Sequence, residues 1–355
     1  MSTQRYRTEF KKILEETILP EGLSSEEQKK RLQPLSSHIL AHMPQTIFRY
    51  RECSEMNFDA FNEDKLYAVT ADKFNDPYDC LFRYDKESLC RSVMIGMSKE
   101  VVYFLRDLFR QGGDFPDGLA NFYNQDFLER IKENIVNAND SMIEKYGEEI
   151  ESIKDSFCKN LYMQTENVAR MVQQLPFITC FSEVIDSVTM WSHYANSHKG
   201  FALEYDTKDF QLRCLSCSKR EQCDKAIICN LFPIIYQPRR YDATNFLAYY
   251  IGKSMGLPIK DPDTFVSSKV LLYKSSQWKY EKEWRLVVNK PNNYQDKSPV
   301  CIYQLKPKAI YYGSRISSIH KKLLHLMAKE KGIKEYQMYI DHKSYKYSIK
   351  AQKCD

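Results

Sequence analysis

Tyr6, Phe10, Ile13, Leu14 and Ile18 recur at helical spacing, which predicts an amphipathic helix ending at Pro20–Gly22. Ser24 or Ser25 can cap a second helix, with Glu26 and Glu27 in its first turn. Residues 1–45 thus read as a helical packing arm. The period then changes to two. In Thr46–Arg51, Ile47, Arg49 and Arg51 share one face and Phe48 and Tyr50 the other, as in a strand. Leu66–Thr70 predicts a second strand. Helical spacing returns over Lys86–Arg110, Asn124–Asn139 and Glu148–Gln174, giving a helical insertion at 86–175. Pro176–Ser182 is apolar on both faces and predicts a central strand.

Asp186 or Ser187 caps a short helix to Asn196, Gly200 suits the left-handed position after it, and Phe201–Tyr205 is a strand. Beyond an irregular insert at 207–230, Leu231–Tyr236 predicts a strand, and residues 243–256 and Asp263–Lys274 predict helices. Trp278–Val287 leads into a strand, and Ala309–Tyr312 is another. Ser317–Lys331 reads as a helix with Ile319, Leu323, Leu326 and Met327 inward, and two Tyr-rich strands close the chain. Without a regular β-α-β rhythm, the expected class is α+β. One domain over 46–355 would hold a mixed, mostly antiparallel split sheet.

Composition narrows the classes. No apolar run reaches the roughly 18–20 residues that cross a bilayer, and Met1–Glu16 is charged throughout, with no signal-peptide core. These features predict a cytoplasmic protein with no membrane partner. Its 11 cysteines, an odd number, then read as free thiols or metal ligands rather than a disulfide framework. With 11 glycines and no G-x-G-x-x-G or G-K-[ST] run, a glycine-rich phosphate cradle is excluded. The net charge of +5 is uneven: Lys306–Asp355 holds 12 Lys and Arg against 4 Asp and Glu, a balance of +8 that leaves −3 elsewhere. A basic end attracts nucleic acid or an anionic ligand, and a solvated lysine surface is the plainer alternative.

The candidate chemistry gathers in Met190–Tyr205 and Trp278–Val287, each dense in aromatic and charged residues, and the chain reads as organised around them. If the second run is extended throughout, Glu281, Glu283 and Arg285 share one face. Adjacent carboxylates repel, so one of them needs a raised proton affinity or a cationic partner; a plain ion-pair ladder is the alternative. His193 and His198 are candidate acid–base or phosphate-binding groups, against the commoner role of fastening a helix to a sheet. Asp76 and Asp79, around Pro77, could take a cation or a substrate hydroxyl, although Asx bonds in the turn are the favoured reading. Cys214, Cys217, Cys223 and Cys229 have spacing that resembles a structural zinc site, with a free-thiol loop as the alternative.

Tyr50-Arg51, Phe74–Asp79, Phe181-Ser182, Met190–Gly200 and Trp278–Arg285 together resemble the bacterial domain-of-unknown-function family 2971, over roughly residues 46–315. Members of that family often look like parts of mobile or anti-phage defence modules, so the resemblance implies an effector with an antitoxin or defence-system partner. The order of Arg51, Ser182 and Glu281-Lys282-Glu283 also resembles ADP-ribosyltransferases of the Arg-Ser-Glu type, which implies an ADP-ribosyltransferase-like sheet and NAD as substrate. On that resemblance Arg51 clamps the pyrophosphate, Ser182 positions the nicotinamide ribose, and Glu283 stabilises the oxocarbenium ion. Glu281 then serves a macromolecular acceptor, protein or nucleic acid. Tyr50, Trp191, His193, Tyr194, His198 and Trp278 would line the pocket. A metal-dependent nuclease built on Asp76, Asp79, Glu281, Lys282 and Glu283, a non-catalytic nucleotide- or nucleic-acid-binding sensor, and simple packing with ion pairs are the other readings.

Overall fold

The structure, a computed structural model, describes residues 3–93, 99–115, 124–174, 176–211, 231–254, 263–289 and 299–354. Among these residues the strands are β1 (Thr46–Arg51), β2 (Lys65–Ala68), β3 (Pro176–Ser182), β4 (Phe201–Asp206), β5 (Leu231–Pro233) and β6 (Ile235–Gln237). They continue with β7 (Tyr273–Ser275), β8 (Glu283–Asn289), β9 (Val300–Gln304), β10 (Ala309–Tyr312), β11 (Lys334–Ile340) and β12 (Ile349–Lys353). The main sheet has the order β12-β11-β10-β4-β1-β3-β8-β5 and is antiparallel except where β10 runs parallel to β11. The chain is therefore α+β with a mixed, mostly antiparallel sheet. Two small pairs, β2–β9 and the parallel β6–β7, stand beside it.

The centre of this sheet is nearly open. β1 pairs with β4 along its length, from Thr46 with Asp206 to Arg51 with Phe201. β3 pairs with β8 from Pro176 with Asn289 to Ser182 with Glu283. Between β1 and β3, however, only Phe48 and Ser182 are in register among the described residues. Both faces are apolar near this split. Ile47, Phe181, Leu203 and Trp284 belong to the larger core, which also takes Tyr6, Phe10 and Leu14 of the first helix. Phe48, Tyr50 and Ala202 meet Met190 and Trp191 on the other face.

The helical segment between β2 and β3 matches its expected place, but its last helix runs from Asp140 to Gln174, longer than its periodicity suggested. Gly147 does not stop it. A Cβ there would lie 2.7 Å from Lys99 Cβ, so the missing side chain permits the close crossing of helix Lys99–Arg110. Cys90 and Cys158 form a disulfide across the insertion, which corrects the expectation of free thiols or metal ligands at these two positions.

Three further expectations are corrected. Leu231–Tyr236 divides at Ile234 into strands of two different sheets, β5 and β6. The expected helix Asp263–Lys274 is helical only over Val266–Val270, and Lys274 belongs to β7. In helix Ser318–Lys331, Leu324 and Ala328 point inward, whereas Ile319 (77 % exposed), Leu323 and Leu326 face outward. No helix among the described residues is long and apolar enough to cross a membrane.

Candidate active site at the split of the sheet

A cavity of about 400 Å³ is lined by consecutive residues of both parted strands, 48–51 of β1 and 178–182 of β3. Neighbouring residues on a strand point to opposite faces. Lining by every residue in turn therefore means that the strand edges themselves border the cavity.

Its acidic wall comes from the turn before β8. Ser276–Glu281 is a short 3-10 turn, Lys282 takes a left-handed conformation (φ 45°), and β8 begins at Glu283. The Glu-Lys-Glu run is thus not extended throughout, yet the reversal at Lys282 brings both carboxylates to one ammonium. Lys274 Nζ donates to Glu281 Oε2 at 2.6 Å and to Glu283 Oε2 at 3.0 Å, and lies 3.3 Å from Asp79 Oδ2. Arg285 donates to Glu283 Oε1 through Nε and to Asp79 Oδ2 through Nη2, both at 2.7 Å, and its Nη1 donates to the Leu271 carbonyl. All five side chains are buried. The charges balance only in part: three carboxylates face two cations, so the cluster carries −1 when Glu281 is ionised and is neutral when Glu281 holds a proton.

The two glutamates are pushed apart. Burial would raise both, but Arg285 and Lys274 hold Glu283 well below the usual carboxylate range. Burial, with the charge of Glu283 beside it, lifts Glu281 to about 7 against the pull of Lys274. For Lys274, burial opposes the charged form, and the charges of Glu283 and Asp79 outweigh it, so the amine is held protonated. Glu281 is therefore the member of the cluster that titrates near neutrality. Its Oε1 accepts from the Tyr194 hydroxyl at 2.5 Å, and Asn75 donates to that hydroxyl at 3.3 Å.

Opposite stands Arg51. Its side chain lines the cavity and makes no hydrogen bond or ion pair among the described residues, although the Glu52 carboxylate acts on it through space. Burial lowers its pKa to about 10, so it stays cationic at neutral pH. Gly200 makes its placement possible: a Cβ there would lie 2.1 Å from the Arg51 carbonyl oxygen. The left-handed positions expected at Gly200 are instead taken by Asn196, Ser197 and His198.

The other named residues divide. Tyr50, Ser182, His193 and Tyr194 line the cavity. The Ser182 hydroxyl is already engaged: it donates to the Glu281 carbonyl at 2.6 Å and accepts from Val184 N, fastening the glutamate turn to β3. His193 Nδ1 lies 2.9 Å from the Tyr280 hydroxyl near the mouth. Trp191 does not reach the cavity. It is fully buried, edge-on to Tyr50 at 5.1 Å, and its Nε1 donates to the Ile185 carbonyl. His198 is also elsewhere, with Nε2 3.1 Å from Ser192 Oγ. The Trp278 ring lies 5.1 Å from Lys274 Nζ and borders a neighbouring concavity.

Asp76 makes the expected turn bond, accepting from Tyr78 N, while Asp79 turns inward to Arg285. Lys282 is not in the cluster; Lys274 holds its place. Cys214, Cys217, Cys223 and Cys229 lie outside the described residues. The basic C-terminal segment forms β10 to β12 at the far end of the sheet and contributes nothing to the cavity wall.

Sequence reasoning did not single out Lys274 or Tyr194's bond to Glu281. The signal for Lys274 was indirect: a buried carboxylate pair demands a cation, without saying which.

Fold and site together define an α+β protein with a buried ionic cluster facing an unpaired arginine across a split sheet. Residues 190–286 match the model of a family described as a protein of unknown function (DUF2971). The match covers His193, Tyr194, Lys274, Glu281, Glu283 and Arg285, and stops short of Arg51, Asp79 and Ser182. No curated protein and no solved structure matches the chain.

Proposed function

We propose that this protein cleaves NAD between nicotinamide and ribose and transfers the ADP-ribose to a macromolecular acceptor, as a toxin-like or anti-phage defence effector in the cytoplasm. The sheet split would correspond to the NAD cleft of an ADP-ribosyltransferase-like fold. One observation carries the reading: a cavity that sets a guanidinium without an ion-pair partner, Arg51, against a carboxylate cluster that carries −1 when Glu281 is ionised. NAD presents the complementary order, an anionic pyrophosphate at one end and a ribose that turns cationic at the other.

In this scheme Arg51 binds the pyrophosphate. The C1′–N bond breaks, its electron pair goes to the nicotinamide nitrogen, and neutral nicotinamide leaves. The field of Glu281 and Glu283 stabilises the oxocarbenium ion. The acceptor's nucleophile then bonds to C1′, and its proton passes to Glu281, whose raised pKa suits that transfer. Glu283, bonded through both oxygens to Lys274 and Arg285, holds the cluster and sets the charge beside Glu281. Ser182 acts through the turn it fastens.

The nuclease reading draws less support, because Lys274 and Arg285 already occupy the carboxylate oxygens a divalent cation would need.

The test is nicotinamide release from NAD by the purified full chain, with chelator present. Glu281→Gln should lower turnover by about 100-fold or more, and Arg51→Gln should raise KM by about 10- to 100-fold through loss of a charged hydrogen bond. Full turnover by an Arg51→Ala, Glu283→Gln double variant, or none by the wild type, overturns the proposal.

A further inference from the structure

A second concavity, of about 810 Å³, adjoins the first at Lys274, which lines both. Its wall carries Arg239 and Arg240, both exposed. Neither has a carboxylate partner among the described residues; Arg240 donates only weakly, to the Phe82 carbonyl at 3.4 Å, and stands 5.8 Å from the Tyr78 ring centre. Of the nearby acids, Asp242 pairs with Arg83 at 2.5 Å, while Asp76 is buried and accepts from Tyr78 N, so the two exposed arginines outweigh it. Four aromatic side chains share the wall: Tyr273 is buried, Tyr241 and Trp278 are half-buried, Trp278 at the Lys274 end, and Tyr78 is 62 % exposed.

Arginines without a carboxylate partner bind repeated negative charge, and rings that carry a cation on one side, as Tyr78 and Trp278 do, can offer a flat face to a base. A single-stranded nucleic acid offers both, phosphates along its backbone and unpaired bases that stack. A duplex hides its base faces, and an acidic peptide would leave Tyr78 and Trp278 without a purpose. We propose that this groove binds a single-stranded nucleic acid and leads one of its bases past Lys274 toward the first cavity. Binding stands on the groove alone. The strand's role as acceptor rests on the transferase reading: a nucleophilic base nitrogen or oxygen would attack C1′ and yield its proton to Glu281.

The test is fluorescence anisotropy with labelled DNA and RNA strands of about 12 nucleotides, a length within the usual span of such sites. The wild type should bind them, and a duplex of the same sequence more weakly. An Arg239→Gln, Arg240→Gln double variant should bind about 10-fold or more weakly, with the slope of log K against log salt reduced by about 1.4 for two lost phosphate contacts. Tyr78→Ala should weaken binding by about 5-fold or more through lost stacking. Unchanged thermal unfolding of these surface variants confirms that their fold is intact. No strand binding by the wild type, equal binding by the variants, or binding of labelled poly-glutamate as tight as that of the strands overturns the groove. Wild-type nicotinamide release, measured alongside, separates the two readings. Strand binding without release leaves the groove and removes the transferase. Release and binding without ADP-ribose on the strand overturn the acceptor role.

Discussion

Glu281→Gln should remove about 2–3 kcal/mol of a pH-dependent loss of stability that the wild type suffers. The Glu281 carboxyl rises from the ordinary 4.5 to about 7 on folding, through burial and the neighbouring charge of Glu283. Between those values the folded chain keeps a proton that the unfolded chain has released. Stability from this group is therefore complete at low pH and is lost as pH rises through 7. Between about pH 5 and pH 8 the loss is about 2–3 kcal/mol. Glu283 does not contaminate this window. Its folded pKa is depressed, so its contribution is present above about 4.5 and is lost only as pH falls below that value. Glutamine keeps the shape, can bond both Tyr194 and Lys274, and does not titrate. Urea unfolding of wild type and variant at the two pH values gives a double difference in which other titrating groups cancel. Equal losses in the two proteins would show that Glu281 is ionised at both pH values, and the coupling described for the cluster would be wrong.

If Glu281 accepts the proton in the reaction, kcat/KM for NAD cleavage by the wild type should rise with pH and level off above about 7, and the residual rate of Glu281→Gln should be flat across that range. Gly200→Ala should destabilise the fold by about 3 kcal/mol, because its Cβ would press against the Arg51 carbonyl and force β1 and β4 apart; denaturant midpoints measure this. Glu183→Ala should cost about 2–3 kcal/mol in the same assay. It takes a shared, largely buried acceptor from Arg7, which donates to Glu183 at 2.6 Å and keeps its bonds to the Ile234 and Glu283 carbonyls, and from the Trp284 indole N–H, at 2.7 Å.

What could be read from the sequence was local. Pro176–Ser182 has the predicted bounds because its run of residues, apolar on both faces, is encoded within it. The faces of Thr46–Arg51 followed from a period of two, and the demand for a cation beside Glu281 and Glu283 followed from repulsion alone. What escaped was set by distance along the chain or by competition. Lys274 sits on a three-residue strand that exists because β6 is there to pair with it, so nothing in its neighbours announces it. Asp79 resembled a turn residue as much as Asp76 did, and only the fold brings Arg285 to it. Trp191 and His198 followed the motif but not the cavity, since the helix Val188–Tyr194 turns Trp191 into the core. The outward Ile319, Leu323 and Leu326 show that periodicity finds a helix more readily than it finds the face that will be covered.

The parting of β1 from β3 makes the main sheet two plates with a seam. One plate runs from β12 to β1, and the other comprises β3, β8 and β5. Backbone bonds are continuous within each plate and almost absent across the seam, so amide exchange should resolve two cooperative units rather than one. Arg51 belongs to the first plate, and Glu283 and the turn that carries Glu281 belong to the second. A molecule held by both would bolt the plates together. Filling the cavity should therefore merge two openings into a single one, and ligand binding would be legible in the cooperativity of the protein as well as in its stability.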